Sequence, residues 1–135
     1  MNNRFFKPLS ELDDIIASDK SPDKKIKEAL LCLLVYGENG ETILVAEDED
    51  NKGNRVLDIQ ERKDEYSNTH RRMILYTTDE YSFEMMRKSG VILLWNEVLV
   101  DEALRSAAEN NVDEILIISM GGQIVIPNPF KKTSS

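Results

Sequence analysis

Residues 71–127 read RRMILYTTDEYSFEMMRKSGVILLWNEVLVDEALRSAAENNVDEILIISMGGQIVIP, and this stretch decides the fold. Three unbroken apolar runs, at 73–76, 91–95 and 115–118, are separated by two segments that carry helix-start signals. A strand covered on both faces has no polar side to show, so it reads as a continuous apolar run. Thr77-x-x-Glu80 is a capping box, which predicts a helix over about 78–88, closed by Ser89-Gly90. A second helix is expected from Asn96 or slightly later, with Val100, Ala103, Leu104, Ala107 and Ala108 as its inward stripe and Asn110-Asn111 as its end. A strand at 114–119 then turns through Gly121-Gly122 into a hairpin partner at 123–127. The pattern predicts a single-domain α/β (mixed α+β) fold, a mixed sheet of about five to seven strands with helices packed on it.

Working outward, Leu12, Ile15 and Ile16 recur at helical spacing after Pro8, predicting a first helix over 9–17 behind Phe5-Phe6. Ser21-Pro22 is a helix start, with the serine as cap, proline at the first helical position and Asp23 near the positive dipole end. Ile26, Ala29 and Leu30 face its core side. The run 31–36, then Glu38-Asn39-Gly40-Glu41, then 42–46 reads as a β-hairpin, because Asn-Gly accepts the positive φ such turns need. A short strand is expected at 55–59 and a polar surface loop over 61–72. The domain spans 1–130 and 131–135 is expected to be a disordered tail.

The 135 residues suffice for one core, burying roughly two-thirds of the unfolded chain's surface. A net charge of -8, from 25 acidic and 17 basic side chains, repels phosphate backbones and anionic membranes and favours basic partners. Neither nucleic acid nor membrane is expected as a partner. Cys32 is the only cysteine, so no intrachain disulfide forms. The first residues, MNNRFFKPLSELDD, hold no apolar h-region, and the apolar stretch 29–36 is far too short to span a bilayer. The expected location is cytoplasmic.

No residue pattern demands a reaction, a cofactor or a metal. A calcium loop starting at Asp48 places Asp50 and Gly53 correctly but puts Lys52 at its fifth position and Ile59 at its twelfth, where a carboxylate is required. His70, the sole histidine, has no nucleophile elbow to serve, and Cys32 in an apolar run reads as a small hydrophobe. The glycines at 37, 40, 121 and 122 belong to strand turns and open no helix, so they form no phosphate loop. Thr77 and Thr78 open a helix whose amides suit an anion, but Asp79 and Glu80 oppose one. Trp95, Asn96 and Glu97 place a large aromatic beside polar groups at the end of a predicted strand, where α/β sheets usually dock ligands and partners. The alternative there is that Trp95 packs on a helix while Asn96 caps the next one. Met73, Met85, Met86 and Met120 fill core or form an adaptable surface.

Ile74-Leu75-Tyr76-Thr77-Thr78-Asp79-Glu80, Val91-Ile92-Leu93-Leu94-Trp95, Ile115-Leu116-Ile117-Ile118 and Gly122-Gln123-Ile124-Val125-Ile126-Pro127, with 29–36 matching more loosely, give the chain from about Ile26 to Pro127 a family likeness. It resembles the N-terminal domain of the SseB-like family, the enhanced serine sensitivity proteins of bacteria. Tyr76 stands where that family often has phenylalanine, and Ser119-Met120 replaces its asparagine–proline ending. The resemblance implies a compact mixed α/β domain without a known catalytic activity, linked to regulation or secretion-associated protein contacts. The functional expectation is a non-catalytic interaction or regulatory module, with Thr77, Thr78, Trp95, Asn96 and Glu97 as its partner-binding corner. The alternative is a small-molecule site, amino-acid-like in its ligand, at the strand carboxyl ends. A monomer or weak homodimer, paired through sheet edges, is expected.

Overall fold

The computed structural model describes residues 9–78, 88, 94–119 and 122–131. Helices α1 (Ser10–Ala17) and α2 (Pro22–Glu38) lead into strands β1 (Thr42–Glu49), β2 (Arg55–Leu57), β3 (Ile59–Lys63) and β4 (Thr69–Tyr76). Strand β5 (Leu94–Leu99) runs straight into helix α3 (Val100–Glu109), and β6 (Glu114–Ser119) and β7 (Gly122–Pro127) close the order. The seven strands form one mixed sheet, so the fold is α+β with helices packed on a sheet. Apart from Thr78 and Lys88, the expected capped helix over 78–88 lies outside the described residues, as do its Ser89-Gly90 end, the first part of the run 91–95, Met120-Gly121, the tail beyond Lys131, Phe5, Phe6 and Pro8.

Strand β4 is the sheet's junction. One edge pairs in parallel with β6, from Arg72↔Glu114 to Tyr76↔Ile118. The other meets β3 from Lys63↔Thr69 to Ile59↔Met73, and then β1 at Val45↔Leu75 and Leu44↔Tyr76. Strand β1 in turn passes from β4 to β2 on that same edge, while β5 covers its opposite edge from Thr42↔Leu99 to Glu47↔Leu94. Residues 55–63 therefore enter as a wedge between diverging strands. They change partner at Asp58, whose amide donates to the Ala46 carbonyl at 3.1 Å.

Paired residues share a face, so the register sorts the core. Ile43, Val45, Met73, Leu75, Ile115, Ile117 and Ile126 lie on the helical side, packed with Leu12 and Ile16 of α1, Ala29 and Leu33 of α2, and Val100 and Leu104 of α3. Leu44, Ala46, Ile74, Tyr76 and Leu116 make a second apolar layer on the other face, joined by Trp95 and Ile118. Burial on both faces is why residues 43–46, 73–76 and 115–118 are apolar without alternation.

The structure corrects the sequence reading in four places. The run 31–36 is not a hairpin strand but the last half of α2. Ile26, Ala29, Leu30 and Leu33 continue one helical stripe from Pro22 into it, and Asn39-Gly40 terminates the helix, with Gly40 at φ 72. Ser21 does occupy the cap position, but no side-chain cap bond forms. The expected loop over 61–72 holds the end of β3 and the start of β4, and the strand expected at 55–59 is split at Asp58. Finally, β5 extends through Asn96 and Glu97, and α3 begins only at Val100, whose amide donates to the Glu41 carbonyl at 2.9 Å. That backbone carbonyl does the capping that Asn96 was expected to do.

Two loops repeat one device. Asp50-Asn51-Lys52-Gly53-Asn54 joins β1 to β2 and Asp64-Glu65-Tyr66-Ser67-Asn68 joins β3 to β4. In each, the Asp Oδ1 accepts the amides two and four residues on, at 2.8 and 2.9 Å in the first and 2.9 and 2.9 Å in the second. The fourth position is left-handed in both, Gly53 at φ 80 and Ser67 at φ 64. A non-glycine residue there carries a penalty of about 1 kcal/mol. Ser67→Gly is expected to stabilise the protein by roughly 0.5 kcal/mol, the penalty less the entropy that glycine adds to the unfolded chain, and to raise the urea midpoint. A lowered midpoint would show that the Ser67 side chain contributes more than its backbone strain costs.

Candidate interaction surface

Thr77, Thr78, Trp95, Asn96 and Glu97 are not one corner. Thr77 is fully buried: its amide donates to the Ile118 carbonyl at 3.1 Å, its carbonyl accepts the Leu9 amide at 3.2 Å, and its hydroxyl donates to Asp13 of α1. Burial raises the Asp13 carboxyl above its ordinary value, against the lowering effect of that hydrogen bond. Thr77 thus fastens α1 to the sheet and shows nothing to a ligand. Thr78 is buried beside it at 3 % exposure. Trp95 lies near the amino end of β5, opposite Ala46, half-buried in the second apolar layer. Asn96 pairs with Val45 and so lies on the helical side of the sheet, whereas Trp95 and Glu97 share the other. Glu97 is exposed and accepts the Thr42 hydroxyl at 2.7 Å. The pleat separates what the sequence places side by side.

The densest titratable cluster lies on that other face, at the polar ends of β3, β4 and β6. Glu114, 6 % exposed, accepts Arg62 at 2.8 Å and Arg72 at 2.5 Å. His70 stands 2.9 Å from Asp64 and, through Nδ1, 3.7 Å from Glu114. Burial pushes the Glu114 carboxyl up, but the two guanidinium groups outweigh it and leave the group below its ordinary range. A carboxylate held ionised in this way is a poor proton donor near neutral pH. Its geometry is that of a staple across the wedge, one acid tying two neighbouring strands to its own. The Arg72 Nε is buried with no hydrogen-bond partner among the described residues. Cys32, half-buried in α2 against the core, has its thiol raised by burial, which disfavours a thiolate. Among the described residues no group of His, Cys, Asp and Glu side chains is placed to hold a metal ion.

The helical layer carries the more unusual feature. Helix α2 is apolar nearly all round over residues 29–36, yet the described residues cover only its inner side. Leu31 is 62 % exposed, Val35 51 % and Leu34 38 %. A helix with this composition is normally buried on every side. Beside Leu34 a groove of about 680 Å³ runs between α2 and α3, lined by Gly37, Leu104, Ala108 and Phe130, with Glu38, Asp101 and Arg105 at its rim. The Phe130 wall is fixed by Asn128, a buried residue whose side-chain amide donates to the Ala107 and Val112 carbonyls at 3.1 and 2.8 Å and whose Oδ1 accepts the Phe130 amide at 3.0 Å. Lys131 bonds Asp113 just beyond it. A smaller cavity of about 300 Å³ opens on the Val35 side, between α2 and Leu9. Apolar surface thus continues across α2 from one groove to the other.

Sequence reasoning missed this surface because it read 31–36 as a strand. The signal was present: α2's buried positions alone account for the apolar content a surface helix needs, so Leu31, Leu34 and Val35 are in excess. Comparisons with protein-family models, characterised proteins and solved structures return no match for this chain.

The polar face makes its own prediction. The Asp64 carboxyl is pulled down to about 2, first by His70 and then by the Asn68 amide. A depressed folded-state value means that this contribution is present above the ordinary value of 3.8 and is lost as pH falls toward about 2. Carboxyl-carbon NMR of the His70→Ala variant is expected to show Asp64 titrating at higher pH than in the wild type. An unchanged titration would assign the whole depression to the turn amides.

Proposed function

We propose that this chain is a non-catalytic protein-interaction or regulatory module that docks through the outer face of α2. The observation that carries the reading is the uncovered apolar stripe of Leu31, Leu34 and Val35 on an otherwise well-packed helix. Exposed apolar residues scattered singly need no explanation, but a contiguous patch between two grooves marks a contact surface. The reading gains support from the chemistry of the titratable groups, since Glu114 is locked by arginines and the Cys32 thiol is disfavoured as a nucleophile. The SseB-like resemblance points to protein contacts as well. A cytoplasmic location is part of the proposal. Among the described residues no helix is long and apolar enough to cross a membrane.

A second reading rests on the groove beside Leu34, whose volume of about 680 Å³ matches small-molecule sites. A ligand there stabilises the fold by mass action, so a metabolite thermal-shift screen tests it.

For the main reading, the tagged protein is compared with Leu34→Glu and Trp95→Ala variants in pull-downs from the host lysate. Both variants are first checked for an unchanged far-ultraviolet spectrum. The expected result is a specific partner that Trp95→Ala retains and Leu34→Glu loses. Loss with Trp95→Ala alone would return the site to the opposite face of the sheet.

A further inference from the structure

The charges flanking the apolar stripe identify its occupant. At 3.6 residues per turn, Lys24, Lys27, Leu31, Leu34, Val35 and Glu38 fall within about 60° either side of Leu31 on one line of α2. All six are exposed. Along the helix the order is basic, apolar, acidic: two lysines toward the amino end, the three apolar side chains in the middle, and a glutamate in the last turn. Among the described residues neither Lys27 nor Glu38 takes part in an ion pair. Glu28 falls at the edge of the same sector, but it is half-buried and already binds Lys20, at 2.7 Å.

Such a pattern is complementary to its own reverse. We propose that the α2 face is a homodimer interface, in which α2 of one copy lies antiparallel on α2 of a second copy. The inference rests on the reading of this face as an interaction surface and names its partner. With the two-fold axis near the middle of the stripe, Leu31 lies opposite Leu34 of the other copy, and Lys27 lies opposite Glu38. The symmetry makes each contact twice. A parallel arrangement would set lysine on lysine and glutamate on glutamate. A wholly basic or wholly acidic partner would match one end of the stripe and clash with the other.

Physical scale sets the strength. The helix has 17 residues and is about 25 Å long. One helix face of that length and about 10 Å wide, with the groove walls at Leu104 and Phe130, gives an interface in the size class of weak, reversible contacts. The apolar centre supplies the affinity, and the end charges choose orientation and register. The net charge of -8 on each copy opposes approach, so a dissociation constant in the micromolar range is expected. This dimer differs from one built by pairing sheet edges, which leaves α2 exposed.

The test is sedimentation velocity on the full chain over about 1 to 300 µM, a span set to bracket that affinity. Wild type is compared with Lys27→Glu, Glu38→Lys and the double reversal Lys27→Glu/Glu38→Lys. The expected result is a concentration-dependent shift from one copy to two in the wild type. Each single reversal weakens dimerisation about tenfold, and the double reversal restores it to within about threefold. The two single variants change the net charge in opposite directions, so a nonspecific charge effect would move them apart, whereas the antiparallel register weakens both. A wild type that stays monomeric throughout, single reversals without effect, or a double reversal as weak as the singles combined each overturn the self-pairing. In any of those cases, a partner lost on Leu34→Glu leaves the broader interaction reading standing, and a partner retained there removes both.

Discussion

The last four residues of β4, Met73-Ile74-Leu75-Tyr76, must be covered on both faces, and the rest of the molecule is arranged around that requirement. Each buried aliphatic side chain in such a position contributes about 1.5–3 kcal/mol. The three helices meet the need on one side, and on the other Ile74 and Tyr76 are buried together with Leu44, Ala46 and Leu116 of the neighbouring strands. Where the strand ends, Thr77 spends its amide on β6, its carbonyl on Leu9 and its hydroxyl on Asp13, so the chain leaves the sheet already bound to α1. The polar first half of β4 needs no such cover and carries the Arg72 and His70 side of the Glu114 cluster. One strand therefore divides the protein into a helical side, an apolar opposite side and a charged end.

Those elements whose burial matches a simple period were legible in the sequence. Strand β6 lies at 114–119 as expected, its antiparallel pairing with β7 follows the predicted hairpin, and α3 buries Val100, Ala103, Leu104 and Ala107 as its stripe requires. The misreadings have physical causes. A six-residue apolar run has the same pattern in a strand and in a helix, and Asn39-Gly40 suits a hairpin turn and a helix end equally because both need a left-handed glycine. Strand β3 is exposed over most of its length, so it lacks the apolar signature that identifies a covered strand. The repeated Asp-x-x-x-Asn at 50–54 and 64–68 was the clue to its turn. Asn96 and Glu97 looked like a boundary but are polar residues within a strand that pairs with β1.

The candidate site was legible only in fragments. Trp95 stands near the amino end of β5, not at the carboxyl end of a strand as the sequence suggested, the pleat turns Asn96 away from it, and Thr77 is held within the fold. The misreading of α2 is also what concealed the exposed stripe. Once residues 31–36 are helical, every residue beyond those needed for the core faces outward, and the apolar excess appears together with its flanking charges. The Glu114 cluster and Asn128, both of them long-range, gave no local pattern; each is assembled from residues brought together by the sheet register or the closing turn. Their arrangement is structural, and it leaves the helical layer as the surface on which we propose the contact.

The most direct test of that claim is an amide NMR dilution series on the intact wild-type chain. If the outer face of α2 is the contact surface, concentration-dependent shifts concentrate at Lys24, Lys27, Leu31, Leu34, Val35 and Glu38, with smaller changes at Leu104 and Phe130. Shifts confined to β5 or β7 would contradict the account by placing association at a sheet edge, and a spectrum unchanged at every concentration would contradict self-association altogether.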